Sequence, residues 1–218
     1  MEKQFWLDKW KEGQTRFHQE RYNQFLVKYW PKFAKQKGKV FVPLCGKSQD
    51  MQYFLEKGYE VIGVELSELA VREFFHVNRI NYAIQETQRF NIFKGENITV
   101  YCGDIFDMGE NDLVGIDYVY DRASLVALPF ELRTKYLKFM FEKLSEIKYC
   151  LQTVEFDHHE IGPPFSIDFK MVKNYFSDKY EVIHKDKIKH IDENVMVHKG
   201  KVTYTQNNIF LMTGKGKE

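Results

Sequence analysis

The sequence predicts an α/β protein on a doubly wound, mostly parallel sheet, with an antiparallel C-terminal edge and a helical N-terminal cover. Three observations predict it. Short β-branched runs alternate with helical patterns, two apolar runs near the C-terminus are spaced for an antiparallel pair, and aromatic residues crowd the stretch 1–35 ahead of any strand.

The expected strands are 39–43 (KVFVP), 60–65 (EVIGVE), 98–103 (ITVYCG), 116–121 (IDYVYD) and 149–156 (YCLQTVEF), each bounded by Gly, Asp or Pro, as buried parallel strands are. Helical patterns lie between them at 48–57, 67–76 and 131–145; in the last, Leu132, Tyr136, Phe139, Met140, Lys143 and Leu144 form one stripe. Ser48 and Ser67 stand where N-caps belong, and Glu68 adds an acid at a positive helix end. The runs 180–188 and 207–214 read as the closing antiparallel pair.

A chain of 218 residues suits one domain, 1–218, that buries roughly 70% of its unfolded surface. With 32 basic against 31 acidic residues it carries no electrostatic footprint for nucleic acid or an anionic membrane, so the expected partner is a small molecule. No apolar run approaches a membrane span, and the charged start MEKQFWLDKWKEG is unlike a secretory signal; the expectation is a cytoplasmic monomer. Cys45, Cys102 and Cys150 are odd in number and lack C-x-x-C spacing, which argues against a disulfide framework or a zinc site.

In such a sheet the ligand lies beyond the carboxyl ends of the strands, which singles out the loop PLCGKS after the first strand. A Walker A loop needs a glycine five residues before Gly46, where Phe41 stands, so the Gly-Lys-Ser is a partial match only. A dinucleotide loop needs three glycines where only Gly46 is present, and Pro43 removes one N–H from the turn. A pyrophosphate has little to sit on.

The nucleoside half of a site is nevertheless legible. Glu65 ends the second strand nineteen residues after Gly46, where an acid hydrogen-bonds ribose hydroxyls. Asp104 and Ile105 follow the third strand and offer polar and apolar contacts to a base; Asp121 and Arg122 end the fourth. An adenosine end without phosphate fits S-adenosylmethionine, whose sulfonium suits the aromatic enclosure that FWLDKW could supply. Each residue also has a plain reading. Glu65 and Asp104 fit a turn acid or a cap, Asp121–Arg122 a surface ion pair, and Phe5, Trp6, Trp10 and Phe17 a helix face packed on the sheet. His18 fits a surface or capping residue better than a base. His158 and His159 lack a third metal ligand.

The motifs FWLDKWKEGQTRFHQE, VFVPLCGKSQDM, GYEVIGVELSELAVREFF, YCGDIFDM, YDRASLVAL and GPPF, in this order, resemble the thiopurine S-methyltransferase family, especially its bacterial members, over about residues 5–214. The resemblance implies a Rossmann-like class I methyltransferase that uses S-adenosylmethionine, releases S-adenosylhomocysteine, and methylates the sulfur of thiopurines or other aromatic and heterocyclic thiols. It implies that the P-L-C-G-K loop turns beneath the methionine part of the cofactor, so that Lys47 need not bind phosphate, and that the residue at Asp104 contributes backbone more than side chain. The cofactor-binding candidates are then Trp6, Trp10, Leu44, Gly46, Glu65, Leu66, Asp104, Ile105 and Arg122. Asp121 and Arg122 are the catalytic pair, with Arg122 expected to orient Asp121; Phe17, Pro164 and Phe165 face the substrate, and no metal is expected. The segment 192–204 departs from the basic, substrate-facing segment of animal members, which leaves the acceptor less defined than the cofactor. A selenium, tellurium, halide or small-thiol methyltransferase would keep the same cofactor site. An NAD-dependent oxidoreductase is disfavoured by the missing glycines, and a non-catalytic binding protein would bind the cofactor product alone.

Overall fold

A computed structural model describes residues 3–15, 17–158, 160–191 and 201–216. The chain forms two compact units, 1–118 and 119–218.

In the first unit, helices α1 (Lys3–Lys11) and α2 (Gln24–Phe33) precede β1 (Lys39–Val42), α3 (Gln49–Glu56), β2 (Glu60–Glu65), α4 (Glu68–Val77), β3 (Tyr82–Glu86), β4 (Asn91–Gly95) and β5 (Ile98–Cys102). The strands lie in the order β3-β4-β5-β2-β1. β2 runs parallel to β1 and β5, with Val61 opposite both Val40 and Ile98. Val40, Val61, Val64 and Val100 are buried, as β-branched residues in a doubly covered parallel sheet should be. Ser48 caps α3 through Asp50 N and Ser67 caps α4 through Ala70 N. The N-terminal extension is anchored by Trp30 of α2, which is 1% exposed and meets the rings of Phe54, Tyr59 and Tyr118 at 4.7, 5.8 and 5.4 Å.

The hairpin β3–β4 is absent from the sequence reading. It pairs antiparallel to β5 and gives this unit an antiparallel edge of its own. Every residue of β3 is exposed, so no buried apolar run marks it.

In the second unit the end of β6 (Ile116–Arg122) leads to α5 (Phe130–Lys143), β7 (Lys148–Glu155), α6 (Phe169–Phe176), β8 (Tyr180–Ile191) and β9 (Tyr204–Gly214), with strand order β6-β7-β9-β8. The expected closing pair is present: β8 and β9 are antiparallel, with Ile183 opposite Leu211, and β9 also runs antiparallel to β7. On α5 the buried face includes Tyr136, Phe139 and Met140, but Arg133 and Leu137 join it while Leu132 and Lys143 are only half-buried. Arg133 is admitted because its guanidinium donates to Leu128 O at 3.0 Å and to the Tyr175 hydroxyl at 3.4 Å. Tyr149, Phe176 and Tyr180 pack with centroids 5.3–6.0 Å apart at the centre of this unit.

Candidate active site

The loop after β1 is shaped by two residues in the left-handed region, Leu44 at φ 44° and Gly46 at φ 52°. A side chain at Gly46 is strained: a Cβ there would stand 2.9 Å from Trp10 Cζ2. Trp10, 6% exposed, therefore lies directly on the loop, and Phe17 meets it edge-on at 5.2 Å and Trp6 at 5.7 Å. Lys3 of α1 pairs with Asp104 at 2.7 Å, tying the cover to the loop after β5.

Glu65 joins the loop to α4. It is 6% exposed, and its carboxylate accepts from Gly46 N at 2.8 Å and Ser67 N at 2.9 Å. Burial pushes the carboxyl above its ordinary range, while the N–H groups of Ser67, Gly46 and Leu66 pull it back. A carboxylate has about four lone-pair sites, so capacity for an outside hydroxyl persists. Lys47 is committed to Glu73 at 2.8 Å, which turns its charge toward α4.

Asp104 caps a short 3-10 turn through Phe106 N at 3.0 Å besides pairing with Lys3, in line with the plain reading of it as a cap. Ile105 is 3% exposed; Leu66 is half-buried and its carbonyl accepts from the Cys102 thiol at 3.8 Å. Trp6, Trp10 and Phe17 thus form one cluster, Leu44 and Gly46 on the loop after β1 are joined to Glu65 at the end of β2, with Leu66 next to it, through the Gly46 N–Glu65 bond, and Asp104 and Ile105 stand after β5, next to β2 in the sheet. Burial, Glu68 and Glu65 push the Cys102 thiol up to about 12. His18 Nε2 lies 3.6 Å from Glu20. A depression of ≈ 420 Å³ lined by Lys37, Tyr59 and Asp117 sits at the opposite, amino ends of β1 and β2.

In the second unit Asp121 is fully buried. Its Oδ2 accepts from the hydroxyls of Tyr136 and Tyr149, each at 2.7 Å, and its Oδ1 from Leu125 N at 3.3 Å. Burial pushes its carboxyl up; the two tyrosines, Leu125 and Ser124 oppose that rise. The carboxylate holds the turn in which Ala123 takes φ 68° and from which the half-buried Arg122 extends. Its orienting groups are thus tyrosines 15 and 28 residues downstream. The one signal for them was a tyrosine in the apolar stripe of α5, since a buried phenol hydroxyl requires a partner.

Pro164 and Phe165 are half-buried. Phe165 N donates to Val126 O at 2.7 Å, and the Arg133 guanidinium lies 5.7 Å from the Phe165 ring. Gly162 lets that ring fold back on the chain, because a Cβ there would stand 2.3 Å from it. His159 and residues 192–200 of the segment 192–204 lie outside the described residues. Among the described residues no group of three or more His, Cys, Asp or Glu side chains is placed to hold a metal ion, and no helix is long and apolar enough to cross a membrane.

Comparison with known proteins gives matches over nearly the whole chain. The profile of the thiopurine S-methyltransferase (TPMT) family matches residues 1–215. A thiopurine S-methyltransferase of Bordetella petrii is 38% identical over 190 residues, 86% of this chain and 87% of that protein. One of Nitrosomonas eutropha is 42% identical over 183 residues, 83% of each chain. Among solved structures, a SAM-dependent methyltransferase of Anabaena variabilis superposes with TM-score 0.63 at 14% identity, covering 98% of this chain and 95% of its own. The Burkholderia thailandensis 1,6-didemethyltoxoflavin-N1-methyltransferase, solved with S-adenosylhomocysteine, gives 0.65 at 14% identity over 99% and 87%. At that identity the likeness shows the fold alone, the Rossmann-like α/β fold of class I methyltransferases.

Proposed function

Because the chain belongs to the thiopurine S-methyltransferase family, we propose that it transfers a methyl group from S-adenosylmethionine to the sulfur of thiopurines or other aromatic and heterocyclic thiols. One observation carries the cofactor assignment: a single-glycine loop, bent at Leu44 and Gly46, lies under Trp10 and is tied to the carboxylate of Glu65. The fit is chemical. The loop offers no run of glycine N–H groups for phosphates, and its lysine is turned to Glu73, whereas a strand-end carboxylate and the buried Ile105 suit a ribose and a base.

When bound, S-adenosylmethionine supplies an electrophilic methyl group on a sulfonium whose departure leaves a neutral thioether. The chain then has to align and to exclude water, and alignment alone is worth roughly 7–11 kcal/mol. Glu65 accepts from the ribose hydroxyls, Leu44 and Gly46 support the methionine portion, and Leu66, Asp104 and Ile105 border the adenosine. Trp6, Trp10 and Phe17 form the aromatic cover that excludes water. Arg122, carried on the turn that Asp121 secures, favours an anionic acceptor or the cofactor's carboxylate. Pro164 and Phe165 face the acceptor. A thiol of near-neutral pKa reacts as its thiolate, so no strong general base is needed.

The same reading takes the chain as one methyltransferase domain acting as a cytoplasmic monomer on a small-molecule thiol, the small-molecule partner being in keeping with a formal net charge of +1. Light scattering checks the monomer. The activity is tested by mass detection of methylated product with S-adenosylmethionine and 6-mercaptopurine, thiophenol or selenite. Methylated mercaptopurine is the expected result; S-adenosylhomocysteine binding with no methylated thiol refutes the acceptor class.

A further inference from the structure

At the carboxyl end of β7 stands a polar network that none of these roles uses. Glu155 is half-buried, and its carboxylate accepts from the Tyr204 hydroxyl at 3.3 Å, Gln206 Nε2 at 3.2 Å and Asn208 Nδ2 at 3.4 Å. Gln206 Nε2 also donates to Asn208 Oδ1 at 2.9 Å, and His184 Nε2 lies 3.0 Å from that oxygen. The antiparallel register builds this arrangement by setting Glu155 opposite Gln206 and Thr153 opposite Asn208, all on one sheet face.

Two independent features distinguish the network from an ordinary polar filling. The first is charge. All three donors to Glu155 are neutral, and no cation pairs with it among the described residues; Lys189 instead lies 4.4 Å from the Tyr204 ring centroid. Behind burial, Glu155, Asp157 and Asp168 each push the Tyr204 hydroxyl upward, so the local field is anionic. The second is Thr153, 4% exposed, whose hydroxyl is buried with no hydrogen-bond partner among the described residues. It precedes Glu155 by two positions on the same face. A buried hydroxyl left unpaired in a network otherwise this well connected is unusual.

The flanking chain belongs to the loop read as substrate-facing. Ser166 Oγ bonds both the N–H and the carbonyl of Phe156 at 2.9 Å, and Ile167 N donates to Val154 O at 2.8 Å. Ser166 and Ile167, which directly follow Pro164 and Phe165, are thereby held against the end of β7.

We propose that Glu155, presented by Tyr204, Gln206 and Asn208 with the Thr153 hydroxyl beside it, is a subsite that takes an N–H or protonated nitrogen of the methyl acceptor. The proposal rests on the reading of the chain as a thiol methyltransferase and narrows its substrate class to nitrogen-bearing heteroaromatic thiols. A carboxylate has lone-pair capacity beyond three donors, and a charge-assisted bond to nitrogen completes it.

Glu155→Gln removes the charge at constant shape. The ratio of kcat/KM for 6-mercaptopurine to that for thiophenol, which has no nitrogen, falls about tenfold, chiefly through KM for mercaptopurine. Thr153→Val deletes only the unpaired hydroxyl; it leaves the melting temperature unchanged or higher and lowers the same ratio about threefold, where a merely structural network predicts no change. Should Glu155→Gln fail to fold, Thr153→Val decides. Calorimetric binding of 6-mercaptopurine to protein loaded with S-adenosylhomocysteine supplies a readout without turnover, and Glu155→Gln weakens it about tenfold. Unchanged ratio and unchanged binding overturn the subsite while methylated thiophenol keeps the enzyme. If no thiol is methylated, the proposed activity falls, and the binding comparison alone upholds or overturns the subsite.

Discussion

Gly46→Ala tests the contact between the loop and its aromatic cover. Two costs are separable. An alanine at φ 52° costs about 1–2 kcal/mol in the backbone. Its Cβ, placed 2.9 Å from Trp10 Cζ2, adds an overpacking cost of about 1–3 kcal/mol, since Trp10 is itself held by Phe17 at 5.2 Å. The sum is at least about 2 kcal/mol, which lowers the melting temperature of a chain this size by about 4–8 °C. In a Trp10→Leu background the steric part vanishes and only the backbone part survives, so a double-mutant cycle read by thermal or urea unfolding gives a coupling of about 1–3 kcal/mol. Binding of S-adenosylhomocysteine weakens in Gly46→Ala as the ring is pushed off the loop. Equal costs of Gly46→Ala in both backgrounds would refute the contact, and undiminished product binding would refute the role of the ring over the cofactor.

Tyr149→Phe removes one of two hydroxyls from the buried Asp121 carboxylate and lowers stability by about 1.5–3 kcal/mol in denaturant unfolding; a loss near zero shows that the carboxylate does not need it. The Asp121 carboxyl is raised above its ordinary 3.8, so the folded state holds its proton more tightly, and stability from this group present at low pH is lost as pH rises through the raised value. The penalty of Asp121→Asn, compared with the parent chain by unfolding at several pH values, accordingly shrinks as pH climbs above about 3.8; a growing penalty contradicts the assigned direction. The Cys102 thiol, raised to about 12 from 9.0, reacts with a disulfide reagent at pH 8 about two to three orders of magnitude more slowly than in urea; equal rates contradict its burial. Arg122→Ala lowers turnover at least tenfold with the fold intact by circular dichroism, and unaltered kinetics remove Arg122 from the mechanism.

Much of the candidate site could be read in one dimension because its residues are set by local rules. A strand that must be buried shows its β-branched run, and the ligand side follows from the carboxyl ends of those strands; Gly46, Glu65, Ile105 and Arg122 are placed by that alone. Ser48 and Ser67 were legible as caps because the bond spans only two or three residues. The hairpin β3–β4 was not legible, since Tyr82–Glu86 is exposed throughout and only Ile92 and Phe93 of its partner are buried.

The sequence by itself determined where the buried parallel strands end, and so which residues stand at their carboxyl ends. Only the tertiary structure decided what those residues hold. Glu65 accepts from Gly46 across 19 residues, Asp121 from Tyr149 across 28, and Glu155 from Tyr204, Gln206 and Asn208 across 49–53. The physical reason is that a buried carboxylate must find donors wherever the packed chain brings them. Strand pairing and helix packing supply that proximity, and no spacing along the chain encodes it.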